Sequence, residues 1–255
     1  MKMKKILTMA LIVAMMGAMA ISLSSCGDSD TLKVVTEATF EPFEFCEDGS
    51  DEIQGFDVDL MNAIAEDQDL KIEFVNMEFD SLIPSLDSGE GDIVAAGMNK
   101  LSGDRAEKAD FGDTYYESDL MLVVTADSDL SGIDAVTSDM KLASQIGTTG
   151  GDYIQTLEEE GKIAKAVVLN QWTDCYMQLQ NGDVQGVVVD LPVGNNYVTK
   201  NPDIAKFAGD KFGDHEEYAF AVKKGNTELL DKLNAGLANM KENGTYDELV
   251  AKWFS

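Results

Sequence analysis

The chain has 255 residues and a formal net charge of −28, from 19 Lys+Arg against 47 Asp+Glu; a surface that acidic repels phosphate backbones and excludes nucleic-acid binding through a basic face. A hydrophobic content of 44% with only four prolines excludes a long disordered tail and suffices for the cores of one or two domains. With one histidine (His215), one arginine (Arg105) and three cysteines (Cys26, Cys46, Cys175), neither a multi-histidine nor a four-cysteine metal site can be built, and a Ser-His-Asp hydrolase would have to run through His215.

Residues 1–25 read as an export leader. Lys2, Lys4 and Lys5 give a positive start, and Ile6 to Leu23 is almost wholly apolar. Leu23-Ser24-Ser25-Cys26 matches the pattern at which bacterial lipoproteins are cut, so a lipid on Cys26 would hold the body at a membrane through the polar tether 26–30. An uncleaved N-terminal membrane helix is the alternative. Cys46 and Cys175 are then the only possible disulfide partners; placed in different halves of the body, they are expected as two unpaired thiols.

Next come a strand at Leu32–Thr36, an extended piece at Phe43–Phe45 and a helix over Asp57–Asp67. That helix has Leu60, Met61, Ile64 and Ala65 on one face and Asp57 at its N-cap. Lys71–Val75 alternates as a strand, Phe79–Asp87 has helical spacing with Pro84 in an early turn, and Asp92–Gly97 is an apolar strand. This order predicts a parallel sheet covered on both faces. The pattern then repeats. Strands fall at Leu120–Val124, Lys141–Gln145, Ala166–Leu169 and Gly186–Asp190. One helix runs from Gly147–Gly151 to Glu160, a second carries Trp172, Cys175, Tyr176 and Leu179, and a third follows Asp190. Tyr218–Val222 is a last strand, and helices over 227–242 and 246–253 close the chain. Two successive α/β units predict two lobes, with binding residues at the C-terminal ends of strands.

Three features carry chemistry. Arg105 lies just past a strand end, and its guanidinium is either a planar fork for a carboxylate or a surface ion pair with Asp104 or Glu107. Asp190 ends an apolar strand and is either an acceptor for an ammonium group or a helix N-cap. Gly147-Thr148-Thr149-Gly150-Gly151 opens a helix and is either an anion site or a tight turn; it lacks the lysine of a phosphate-binding loop. Together they are complementary to a zwitterion, with Phe40 and Phe79 as apolar walls and Phe43 in the core.

Several motifs in register carry a resemblance. Phe40-Glu41-Pro42-Phe43-Glu44-Phe45, Gly55-Phe56-Asp57-Val58-Asp59-Leu60 with Ala63-Ile64-Ala65, and Leu82-Ile83-Pro84-Ser85-Leu86 with Gly91-Asp92 come first. Arg105, Asp110 to Tyr116, Gln145 to Gly150, Gly244-Thr245-Tyr246 and Lys252-Trp253-Phe254 follow. Over residues 31–255 the chain resembles the periplasmic-type amino-acid-binding proteins of ABC importers, solute-binding protein family 3. The resemblance implies an α/β, two-lobed periplasmic-binding-protein fold of type II, each lobe a mostly parallel sheet flanked by helices. Lobe one would be 31–114 plus 219–255 and lobe two 120–213, with hinge crossovers at 115–119 and 214–218.

By position, the resemblance gives Arg105 the ligand α-carboxylate, helped by amides around Gly97 and Thr148, Thr149 and Gly150. Asp190 takes the α-ammonium, Phe40 and Phe79 sandwich the side chain, and Glu37 or Gln145 meets its distal end. The spacing from Gly97 to Arg105 is one residue longer than the family pattern, with Asn99 or Lys100 in place of a threonine, and Ala219 stands where glycine is common. A carboxylate at Glu37 favours a basic ligand over an amide. No cofactor, metal or catalytic residue is implied. The implied partners are a polar L-amino acid and the membrane subunits of an importer, for a monomer lipid-anchored outside the cytoplasm. The competing readings are a dehydratase of arogenate or prephenate on the same architecture, and a receptor sensor domain, which a chain ending at Trp253-Phe254-Ser255 disfavours.

Overall fold

Short apolar strands alternating with amphipathic helices build two five-stranded sheets and a small three-stranded one. The computed structural model describes residues 31–47 and 49–254, so the expected leader, tether and lipidated Cys26 lie outside the described residues. In chain order the first elements are β1 (Thr31–Thr36), β2 (Thr39–Phe40), β3 (Glu44–Cys46), β4 (Ile53–Gln54), α1 (Phe56–Asp67), β5 (Lys71–Asn76), α2 (Leu82–Ser88), β6 (Ile93–Val94), α3 (Arg105–Lys108) and β7 (Ala109–Phe111). There follow β8 (Tyr116–Thr125), β9 (Lys141–Gln145), α4 (Thr149–Glu159), β10 (Lys165–Leu169), α5 (Trp172–Gln180), β11 (Gly186–Asp190) and α6 (Leu191–Lys200). The chain closes with β12 (Ala205–Tyr218), β13 (Ala221–Lys223), α7 (Thr227–Asn243) and α8 (Thr245–Trp253).

The strand orders are β5-β1-β6-β13-β7 and β10-β9-β11-β8-β12. In the first sheet β1 and β6 are parallel, and β13 is antiparallel to both β6 and β7. In the second, β10, β9 and β11 are parallel, and β8 is antiparallel to β11 and β12. Each sheet is thus mostly parallel, with one reversed strand. In both, the reversed strand is the one entered on crossing from the other sheet, β8 after β7 and β13 after β12.

The segments expected as crossovers run side by side, Tyr116, Glu117 and Ser118 pairing with Tyr218, Glu217 and Glu216. Rings close around them. Tyr116 stacks on Phe254 at 4.8 Å and meets Phe43 edge-on at 5.0 Å, and Tyr115 stacks on Phe220 at 4.5 Å. The C-terminal tail is therefore part of the junction, fixed also by Trp253 Nε1 donating to Asp59 at 2.7 Å. Phe43 is fully buried, as expected of a core residue.

On α7 the buried Leu229, Leu233, Leu237 and Met240 recur at helical spacing, each worth ~1.5–3 kcal/mol on burial. Gly236 lets that helix close on α1, since a Cβ there would stand 2.7 Å from Ile64. Gly244, at φ 88°, ends α7 and lets α8 turn away.

Four expectations need correction. Gly55, not Asp57, caps α1; Asp57 is turned inward and wholly buried. The strand expected over Asp92–Gly97 pairs only at Ile93–Val94, and the last strand runs Ala221–Lys223, with Tyr218 belonging to β12. The mostly parallel sheets implied by the resemblance are found, each with the one reversed strand just described. The longest strand, β12, was not anticipated, because Gly209, Asp210, Lys211, Gly213 and Asp214 are poor strand formers. It persists through register shifts on either side of Phe212, with Gly209 and Gly213 at φ 71° and 77°. Cys46 and Cys175 are both free thiols, as expected.

Candidate functional site

Nine of the eleven expected ligand residues line one small cavity where the two sheets meet: Phe40, Phe79, Gly97, Asn99, Arg105, Gln145, Thr148, Thr149 and Asp190. Its volume of about 10 Å³ has room for about one water molecule. Phe79 and Arg105 also border a wider cleft of about 530 Å³, which Gly147 lines as well, so the guanidinium stands between the small cavity and open solvent. Glu37 and Gly150 are set back. Gly150 packs against Ser144 and Val188, and Glu37 lies behind Gln145, whose Nε2 donates to it at 2.8 Å.

Arg105 opens α3 at the end of the loop leaving β6. Its Nη1 donates to the Asn99 carbonyl at 2.7 Å and its Nη2 to the Gly147 carbonyl at 2.6 Å, so it joins the loop after β6 to the loop before α4. The guanidinium lies 5.3 Å from the Phe79 ring centroid. Burial lowers its pKa, and Asp152, Glu216 and Asp190 oppose that. The surface-pair alternative with Asp104 does not hold, because Asp104 pairs with Lys108 at 2.8 Å.

Of the two residues in the lengthened loop, Asn99 is the one at the site. Its Nδ2 donates to Thr149 Oγ1 at 3.3 Å, and its Oδ1 accepts from the Leu101 and Glu217 amides at 3.1 Å each. Lys100 instead pairs with Glu217 at 2.9 Å. Thr148 caps α4, accepting from the Gly151 amide at 3.0 Å and donating to the Gln145 carbonyl at 2.7 Å, so its hydroxyl is committed locally.

Gly97 serves differently from expectation. Its amide donates to Asp57 Oδ2 at 2.9 Å, so that N–H is not offered to a ligand. What glycine provides is space: at φ 49° a Cβ would stand 2.4 Å from the Phe40 ring.

Asp190 sits at the N-cap position of α6, but its side chain makes no cap bond and accepts from the Tyr218 hydroxyl instead. Burial raises its pKa, and Tyr218 and Arg105 hold that rise down. Glu37 is pushed up to about 7, mainly by burial, with Gln145 and Thr39 partly offsetting it; no cation is among the groups acting on it. The Thr39 hydroxyl reaches both Glu37 oxygens, at 2.8 and 2.9 Å.

Sequence reading missed Tyr218, Glu216 and the Asp57–Glu44 pair. Tyr218 and Glu216 sit two apart on β12, where alternation turns both inward while His215 and Glu217 face out. Once that strand is placed the alternation is visible. Asp57 also accepts from the Tyr115 hydroxyl at 2.5 Å and is pushed up to about 7 by burial, with fully buried Glu44 raised beside it.

The family model for bacterial extracellular solute-binding proteins, family 3, matches residues 32–255. The chain belongs to that family. This family 3 chain is 35% identical over 256 residues to the putative ABC transporter arginine-binding protein 2 of Escherichia coli, covering 99% of each. Among solved structures it is similar to an ancestral arginine-binding protein bound to arginine, at TM-score 0.82 and 37% identity, covering 89% of this chain and 99% of that one. It is also similar to an ancestral amino acid-binding protein described as a precursor of cyclohexadienyl dehydratase, at TM-score 0.79 and 33% identity, covering 89% and 97%.

Proposed function

We propose that this family 3 solute-binding protein captures a basic L-amino acid, arginine first, outside the cytoplasm and delivers it to the membrane subunits of an ABC importer. The observation that carries the reading is one cavity bearing both a half-buried guanidinium and a buried carboxylate, Arg105 and Asp190, between the walls Phe40 and Phe79. A free amino acid presents the complementary pair. The arginine-binding relatives and the uncompensated carboxyl of Glu37 favour a cationic side chain over an amide. In this reading the distal end of the ligand reaches Gln145 and, behind it, Glu37.

The cavity is far smaller than an amino acid, so capture requires the two sheets to part and close again. We assign the lobes to 31–114 plus 219–255 and to 120–213. The paired segments 115–119 and 214–218 act as the hinge, whose two strands bend together because they share a ladder. Lipid anchoring through Cys26 and a monomeric state complete the proposal.

Calorimetric titration of the exported protein with the twenty amino acids tests it. Heat with arginine or lysine, weaker or absent with acidic and apolar amino acids, is the expected result; no heat with any polar amino acid would overturn it. We infer binding without turnover, so arogenate and prephenate should be recovered unchanged, and an aromatic product would refute that.

A further inference from the structure

Beside Asp190 lies a carboxyl group that the ligand geometry does not use. Glu216 is 1% exposed, and neither of its side-chain oxygens accepts a hydrogen bond in good geometry from an N–H or O–H group of the described residues. An ionised carboxylate left so would bear the full cost of desolvation. The groups that face it come from every element packed there. They are Asp190 at the end of β11, Thr149 at the start of α4, Arg105 on α3, Tyr218 on its own strand and Ser118, its cross-strand partner on β8. Arg105 spends two of its donors on carbonyl oxygens, and Tyr218 donates to Asp190. The arrangement that satisfies this geometry is one proton shared by two carboxyl groups, held on Glu216 and donated to Asp190.

The charges agree. With Glu216 neutral, each end of a zwitterion laid across the site meets one opposite charge, the carboxylate Arg105 and the ammonium Asp190. With Glu216 ionised, the ammonium end would hold two negative charges against one positive. The same motif recurs at the other crossover, where Tyr115 donates to Asp57 while both oxygens of buried Glu44 and the second oxygen of Asp57 have no donor.

We propose that Glu216 is a positioning residue for ligand binding: a protonated carboxyl that donates to Asp190, keeping that side chain ionised and aimed at the ligand ammonium. This rests on the reading of Asp190 as the ammonium acceptor.

The test is the pH dependence of arginine affinity in three proteins: the wild type, Glu216→Gln and Glu216→Ala. Binding weakens in acid as Asp190 takes up a proton. A neutral donor at 216 lowers the pKa of Asp190, so its removal in Glu216→Ala should move the acid limb to higher pH. Glu216→Gln, which keeps an N–H donor, should leave the limb in place and affinity at pH 7 within about threefold of wild type. An ionised Glu216 predicts the opposite sign: both variants would shift the limb to lower pH, and the glutamine variant would lose tenfold or more in affinity. Glu37 is intact in all three, so its titration cancels. Should the alanine variant fail to fold, the infrared difference between wild type and Glu216→Gln at pH 7 decides. Loss of a protonated-carboxyl C=O band supports the proposal, and loss of carboxylate bands overturns it. A limb that does not move in Glu216→Ala also overturns it, whereas a wild type that binds no amino acid overturns the functional reading beneath it.

Discussion

Replacing Arg105 by alanine separates its two tasks. In the ligand-free protein its guanidinium donates to the Asn99 and Gly147 carbonyls, and both bonds are lost. Gly147 borders the wide cleft, so water can reach the freed acceptors, and the net cost is ~1–3 kcal/mol rather than the full cost of burial. That corresponds to a fall in melting temperature of roughly 2–4 °C per kcal/mol for a domain of this size. Binding should suffer more. Losing one partner of a desolvated ion pair costs ~2–5 kcal/mol, which is about a thirtyfold to several-thousandfold weakening. Arg105→Lys should fall between, because one ammonium cannot span both ends of a planar carboxylate. Isothermal titration with arginine, beside a melting curve of each ligand-free variant, measures both effects. A folded Arg105→Ala protein binding within threefold of wild type would refute the reasoning, since the ligand carboxylate would then be held elsewhere.

Other expectations follow from the same geometry. Glu37→Gln should weaken arginine about tenfold or more in competition titrations while retaining glutamine, because an amide can meet another amide but not balance a guanidinium. Gly97→Ala forces a Cβ to within 2.4 Å of the Phe40 ring at a positive φ; it should lower the melting temperature by several degrees and weaken every ligand together. Glu37 and Asp57 are each pushed up to about 7 by burial, so the folded chain holds protons that the unfolded chain has released. Their contribution to stability is full below the ordinary carboxylate range and is lost as pH rises from that range through about 7, at up to ~1.4 kcal/mol per pH unit for each group. The ligand-free protein should therefore melt higher at pH 5.5 than at pH 8, and a flat or opposite trend would argue against buried neutral carboxyls.

What was legible in the sequence depended on how local its physics is. Arg105, Asp190 and the Gly147–Gly151 turn stand at ends of apolar strands, and strand ends can be read from composition alone; the structure brings them to one cavity. Asp57 was legible as a residue of note but not in its role. Gly55, at φ 138°, starts α1 because a Cβ there would stand 2.1 Å from the Phe43 carbonyl. That close approach turns Asp57 inward to Gly97 and Tyr115, and nothing within the helix sequence reports it. Glu216 and Tyr218 were hidden because their orientation depends on a register that two irregularities reset between Ala208 and Glu216; a single missed bulge reverses which residues face the cavity.

The two acid groups nevertheless share a plan. At each crossover a tyrosine hydroxyl serves a buried aspartate with a second carboxyl beside it, Tyr115 with Asp57 and Glu44, and Tyr218 with Asp190 and Glu216. Their rings lie 6.4 Å apart in the junction proposed as the hinge. One triad has its aspartate tied to the Gly97 amide under Phe40, and the other has its aspartate on the cavity wall. Motion of the paired strands would thus carry a tyrosine and its acid on each side, so that the parts meeting the ligand move as fixed units rather than as separate side chains.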